Sequence, residues 1–140
     1  MLIDCPSCGI KNRVPAARLD EKARCGKCKT SLLPLTKATT VESSADFVEL
    51  LRSSPVPVLV DFWAPWCGPC RVVGPELERV ALEKRGQVIV AKVNTDELRD
   101  VAGRYDIQAI PTMILFQGGR ESNRLQGAMR APAIVQQLAL

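Results

Sequence analysis

The stretch Val56-Pro57-Val58-Leu59-Val60-Asp61-Phe62-Trp63-Ala64-Pro65-Trp66-Cys67-Gly68-Pro69-Cys70 decides the fold. Its first eight residues form a run of β-formers, apolar on both faces, the pattern of a central strand covered on both sides. Beyond Cys70, Val73, Leu77, Val80 and Ala81 recur at helical spacing with charges between them. The Cys-x-x-Cys therefore stands where a buried strand ends and a helix begins. There, free backbone N–H groups and the helix dipole stabilise a thiolate and lower the pKa of the first cysteine, Cys67. Cys70 lies one turn in, near enough to attack a mixed disulfide, and Pro69 suits a first-turn position where its missing N–H is not needed.

Working outward, a short strand is expected at residues 39–42, followed by a helix capped by Ser43 or Ser44 and stopped by Pro55. Its inner face is Phe47, Leu50 and Leu51. Downstream, residues 87–93 read as a second buried strand, 97–105 as a helix and 112–116 as a strand. The Gly118-Gly119 turn leads into a strand near 123–126, and 131–138 closes as a helix with Pro132 in its first turn. Strands alternating with helices and ending in a hairpin imply an α/β fold, a mixed sheet covered by helices on both faces.

Upstream the pattern differs. Residues 1–30 show little hydrophobic material and no period, so a metal is expected to hold them folded. Cys5-x2-Cys8 and Cys25-x2-Cys28, sixteen residues apart, fit a four-cysteine zinc site in which two knuckles bring four sulfurs into a tetrahedron. Lys11, Lys22, Arg24, Lys27 and Lys29 are expected to offset its negative charge. A closed four-sulfur shell leaves no position for substrate, so the metal is read as structural, with an oxidation-sensitive switch as the alternative. The expected division is a zinc-binding module at 1–30, a mostly polar linker at 31–37 and a second domain at 38–140.

Composition narrows the chemistry further. The 140 residues contain no histidine, which removes Ser-His-Asp and Cys-His catalysis and mixed Cys/His zinc sites. The net charge is +4, and all of the excess lies in residues 1–35, with seven Lys or Arg against three Asp or Glu. That segment has no aromatic side chain on which a base could stack, so nucleic acid is not the expected partner. No run of about 18 apolar residues is present, so no membrane span is expected. The first residues lack the charged and apolar regions of a secretory signal, which points to the cytoplasm, where Cys-x-x-Cys pairs more often bind metal or do redox chemistry.

Residues 60–70 resemble the active-site segment of thioredoxins, and the similarity extends over residues 38–140. Pro75 matches the proline that kinks the active-site helix, Lys92 the family's buried lysine, Ile110-Pro111-Thr112 the loop whose proline is cis, and Gly127 a glycine of the substrate-facing surface. The four-cysteine extension is similar to that of the thioredoxin-2 (bacterial thioredoxin C) subgroup. The resemblance implies a thioredoxin fold and a monomeric protein disulfide reductase, recharged by an NADPH-dependent thioredoxin reductase and acting on disulfide-containing proteins. Under it Cys67 is the nucleophile and Cys70 the resolving thiol. Asp61, desolvated in an apolar strand, exchanges a proton with Cys70, and Lys92 either tunes that carboxylate or merely satisfies it. Trp66, Gly68, Pro69, Ile110, Pro111, Gly127 and Ala128 make the substrate patch, while Trp63 packs beneath the site. The competing readings are a zinc- and redox-regulated chaperone or binding protein, and a zinc-ribbon adaptor for nucleic acid.

Overall fold

In the computed structural model, which describes residues 1–140, a five-stranded sheet is flanked by helices on both faces. The elements are β1 (Leu2–Asp4), β2 (Lys11–Arg13), β3 (Thr39–Thr40), α1 (Ser44–Ser53), β4 (Val58–Trp63), α2 (Gly68–Glu83), β5 (Ile89–Asn94), α3 (Arg99–Arg104), β6 (Thr112–Gln117), β7 (Arg120–Gln126) and α4 (Ala131–Leu138). The main sheet has the order β3-β5-β4-β6-β7. β3 and β4 run parallel to β5, while β6 is antiparallel to both β4 and β7. The mixed sheet with two helical layers is the architecture expected from the element order.

Alternation along β4 assigns the two layers. Val58, Val60 and Phe62 face the cluster that holds Phe47 and Leu50 of α1 and Val101 of α3. Leu59 faces the opposite cluster with Val73, Leu77 and Val80 of α2 and Ile134 of α4. By the same alternation Asp61 and Trp63 point to the α2 side. The Ser43 side chain caps α1, accepting from the Asp46 N–H at 3.1 Å, and Phe47, Leu50 and Leu51 are its buried face. α3 is shorter than the expected 97–105, because the N–H groups of Glu97 and Leu98 turn back to the Asn94 carbonyl before the helix starts.

The first 35 residues depart most from expectation. Lys11–Arg13 pairs with Leu2–Asp4 as an antiparallel hairpin, each strand three residues long and so too short to show a period. Met1, Ile3, Val14, Ala16 and Leu19 are buried, in one continuous apolar cluster with Phe47, Leu50 and Val101. Leu32 and Leu33 of the linker join that cluster, and the Leu33–Pro34 bond is cis. The segment's apolar side chains are too few to cover one another, but α1 and α3 supply the other half of their core. Polar bonds line the same contact: Arg13 Nη1 lies 3.1 Å from Asp46 Oδ1, and the Ala16 N–H donates to Glu49 Oε2 at 2.9 Å.

Candidate active site and metal centre

Cys67 occupies the N-cap position of α2 and is joined to Cys70 by a disulfide. The Cys70 N–H donates to Cys67 Sγ at 3.2 Å, so one of the helix's orphan donors is already aimed at the first sulfur. In the reduced chain this N–H and the helix dipole favour the Cys67 thiolate. Cys67 is 4 % exposed and Cys70 6 %, so either sulfur is reached only by a group brought into close apposition. Pro75 lies inside α2, where it removes one rung of the helical ladder, and the helix continues to Glu83.

Opposite the dithiol, the Ile110–Pro111 bond is cis. Cys67 Sγ lies 3.7 Å from the Ile110 carbonyl oxygen, and the Ile110 peptide has no backbone partner. The Pro111 carbonyl, by contrast, already accepts the Gly127 N–H at 2.9 Å. Gly127 has φ +88°, a conformation that favours glycine at this contact. The Thr112 hydroxyl donates to the Ala109 carbonyl and closes the loop. Trp66 is 70 % exposed beside Cys67, and Gly68, Pro69, Gly127 and Ala128 are exposed around it. Ile110 is half-buried, but Pro111 is buried, so its ring supports the rim without presenting a face to solvent. The Trp66 indole N–H donates to Asp96 Oδ2 at 3.1 Å, and Asp96 is braced by its own N–H on Asn94 Oδ1 at 2.9 Å. The motif carries no sign of Asp96: it sits in the turn after β5, and only the sheet order brings it to Trp66.

Asp61 is 1 % exposed, and neither carboxylate oxygen has a hydrogen-bond partner. Burial pushes its pKa up to about 7, against the pull of the Lys92 charge. Lys92 is the cross-strand neighbour of Asp61, yet its ammonium lies 4.7 Å above the Trp63 ring and makes no hydrogen-bonded pair with the carboxylate. Of the two readings of Lys92, the one in which it satisfies the carboxylate finds no hydrogen bond or ion pair to support it here. Trp63 is half-buried and forms part of a cleft of about 530 Å³ that also holds Cys70, Arg71, Gly74, Pro75, Glu78 and Lys92. It thus borders this opening as well as packing beneath the site.

The remaining four cysteines converge, with all four Sγ atoms within 4.8 Å of one another. Cys5 Sγ is 3.5 Å from Cys28 Sγ, and Cys8 Sγ 3.6 Å from Cys25 Sγ. Four sulfurs each about 2.3 Å from a tetrahedral zinc would stand about 3.8 Å apart, so the cluster fits that ion with little adjustment. The two knuckles repeat one backbone plan: the Cys5 N–H donates to the Ile10 carbonyl as the Cys25 N–H does to Thr30. Gly9 and Lys29 hold the matching left-handed position, four residues after the first cysteine of each knuckle. Amides point at the sulfurs: Ser7 N–H at Cys5 and Lys27 N–H at Cys25, both at 3.4 Å. The N–H groups of Cys28 and Lys27 help draw the Cys25 thiol down to about 6, toward the deprotonated form a metal needs. Lys11 does not serve the sulfurs as expected, because its ammonium lies 3.2 Å from Asp4 and 3.1 Å from Glu42. Cys5, Cys8, Cys25 and Cys28 would hold a zinc whose contribution is to cross-link the two knuckles.

Comparison with known proteins agrees with both halves. The thioredoxin family model matches residues 37–139, and the family described as "Thioredoxin 2, N-terminal", a zinc ribbon, matches residues 5–30. Thioredoxin C-3 of Corynebacterium nephridii is 37% identical over 138 residues, covering 99% of this chain and 93% of that protein. The bifunctional thioredoxin reductase/thioredoxin of Mycobacterium leprae is 46% identical over 101 residues, which are 71% of this chain and 22% of that one. Among solved structures, a mutant thioredoxin from Halobacterium salinarum NRC-1 superposes with a TM-score of 0.66 at 27% identity, covering 73% of this chain and 88% of that one.

Proposed function

The chain belongs to the thioredoxin family, and from that membership we propose that it works as a protein disulfide reductase recharged by an NADPH-dependent thioredoxin reductase. Members of the family are disulfide oxidoreductases, and so is this chain. The observation that carries the proposal is the Cys67–Cys70 disulfide at the N-cap of α2, with the Cys70 N–H on the Cys67 sulfur.

In the proposed cycle the Cys67 thiolate attacks one sulfur of a substrate disulfide. The Cys67–substrate disulfide forms, and the other substrate sulfur leaves as a thiolate. Asp61 takes the proton of Cys70, whose thiolate attacks the Cys67 sulfur and expels the second substrate thiol. Two electrons pass to the substrate, and the Cys67–Cys70 disulfide is restored. Trp66, Gly68, Pro69, Gly127 and Ala128 offer the exposed platform, and the free peptide of Ile110 offers backbone bonds to an extended substrate segment. Gly-Pro between the cysteines favours the reducing direction over oxidation. The M. leprae relative, whose name joins a reductase to a thioredoxin, supports that electron donor. The zinc is structural in this reading, residues 1–30, 31–37 and 38–140 are its three parts, and the monomeric chain works in the cytoplasm.

The test is NADPH consumption with thioredoxin reductase and insulin disulfide. The intact chain should consume NADPH rapidly, and Cys67→Ser should fall to background while keeping its zinc. A folded, zinc-loaded chain that consumes none would overturn the electron donor or the direction, and undiminished activity in Cys67→Ser would overturn the nucleophile.

A further inference from the structure

α4 begins without a cap of its own. Its N-cap residue, Arg130, makes no side-chain cap bond, and Pro132 at the second helical position has no N–H to satisfy. The N–H of Ala131 remains, on a residue 3 % exposed, where a missing partner would be costly. It donates to Glu76 Oε1 at 2.9 Å, so the acceptor comes from α2, 55 residues earlier in the chain. A carboxylate there also suits the positive end of the α4 dipole. Just upstream lies the strip 127–130, which carries Gly127 and Ala128 of the platform. Its near end is fixed by the Gly127 N–H on the Pro111 carbonyl at 2.9 Å. Between these two bonds the N–H groups of Ala128, Met129 and Arg130 have no partner within the chain. Of the three residues, Met129 packs against the apolar cluster shared by α2 and α4.

Resting on the reductase reading, we propose that Glu76 is a positioning residue of the substrate platform. Its carboxylate fastens the far end of 127–130 to the helix that holds Cys67 at its N-cap and Cys70 in its first turn. The Pro111 carbonyl fastens the near end to the loop beside the same sulfurs, where the Ile110 carbonyl oxygen lies 3.7 Å from Cys67 Sγ. Both ends of the strip are therefore tied to the dithiol, one through α2 and one through the cis-proline loop. The strip's open N–H groups are then held at a set distance from Cys67. An extended protein segment bound along them brings its disulfide to one place. Glu76 acts through Ala131 and not on the sulfurs. Without its bond the strip hangs from Gly127 and from the packing of Met129 alone. Arg79, 3.9 Å from the other carboxylate oxygen and 63 % exposed, is a companion that this role does not need.

The test compares Glu76→Ala, which loses the acceptor, with Glu76→Gln, which keeps an oxygen for the Ala131 N–H. Arg79→Ala is the control that removes the ion pair and leaves the bond. Amide exchange of Ala131 in the oxidised, zinc-loaded chain reads the bond itself, and should quicken about ten-fold in Glu76→Ala. With thioredoxin reductase in excess, the KM for insulin disulfide should rise roughly three- to ten-fold in that variant while kcat holds. Alkylation of reduced Cys67 by iodoacetamide, a reagent too small to need the strip, should keep its rate. Glu76→Gln should return the KM to within about two-fold of the parent, and Arg79→Ala should match the parent throughout. Quickened exchange with an unchanged KM overturns the proposal, because the bond then holds α4 and nothing more. Equal losses in Glu76→Gln and Glu76→Ala, slowed alkylation, or an Ala131 amide that does not quicken overturn it too. A parent chain that consumes no NADPH defeats the reductase reading itself. An active parent whose KM is indifferent to Glu76 defeats this proposal alone.

Discussion

Asp61 shows what one residue in the wrong solvent does. Its folded pKa is about 7 against 3.8 for the free side chain, so between those values the folded state keeps a proton that the unfolded state has released. A raised folded pKa contributes stability that is fully present below the unfolded value and is lost as pH rises to the folded one. Between pH 4 and 7 the loss is about 1.4 kcal/mol per pH unit, on the order of 2–4 kcal/mol in all. Asp61→Asn removes the titration, so urea unfolding of the oxidised chain should show the variant gaining on the parent from pH 4 to 7 and holding a constant gap above. Parallel curves for the two would mean that the carboxyl is not desolvated. At this scale the six cysteines and Asp61 were legible, because spacing and a charge in an apolar strand are local signals. Asp96 was not, since its partner Trp66 is thirty residues away in sequence.

Among the elements, α1 does two jobs with a few polar groups. Ser43 caps it, and Asp46 in its first turn, where negative charge suits the dipole, receives Arg13 from β2. Ser43→Ala should lower unfolding free energy by about 1 kcal/mol, read as a lower denaturant midpoint with an unchanged slope. No change at all would mean that the cap is replaced by water at no cost. The long helices and buried strands were readable because their apolar periods extend over many residues. The β1–β2 hairpin was not, because three-residue strands carry no measurable alternation. The same limit lengthened α3 in the sequence reading, where turn residues at 97 and 98 extend a helical pattern they do not join.

For the whole molecule, the decisive fact is that Cys5 and Cys25 belong to the same apolar cluster as Phe47, Leu50 and Phe62. A metal that ties the knuckles together therefore also holds Ile3, Val14 and Leu19 against the main sheet's helical layer. Removing zinc with a chelator under reducing conditions should lower the melting temperature of the whole chain by roughly 5–15 °C, and amide exchange at Leu50 and Val101 should quicken. If the main transition and those amides stay put while only the first 35 residues loosen, the two parts share contact but not stability. The exposed ion pairs along the junction, such as Lys11–Glu42, are worth little individually, so the effect is expected to survive in high salt.

The amino-acid sequence by itself determined the α/β order, the central strand, the place of Cys67 and Cys70 at a helix start, and the four cysteines whose sulfurs converge near the N-terminus. Each depends on neighbours within a few turns or on a repeated cysteine spacing. Tertiary structure alone decided that Lys92 lies over Trp63 and leaves Asp61 unpaired, that Asp96 holds Trp66, and that the first 35 residues complete the core over α1. These are relations between strands and helices far apart along the chain. Side-chain direction and shared burial exist only after the sheet order has brought those elements together.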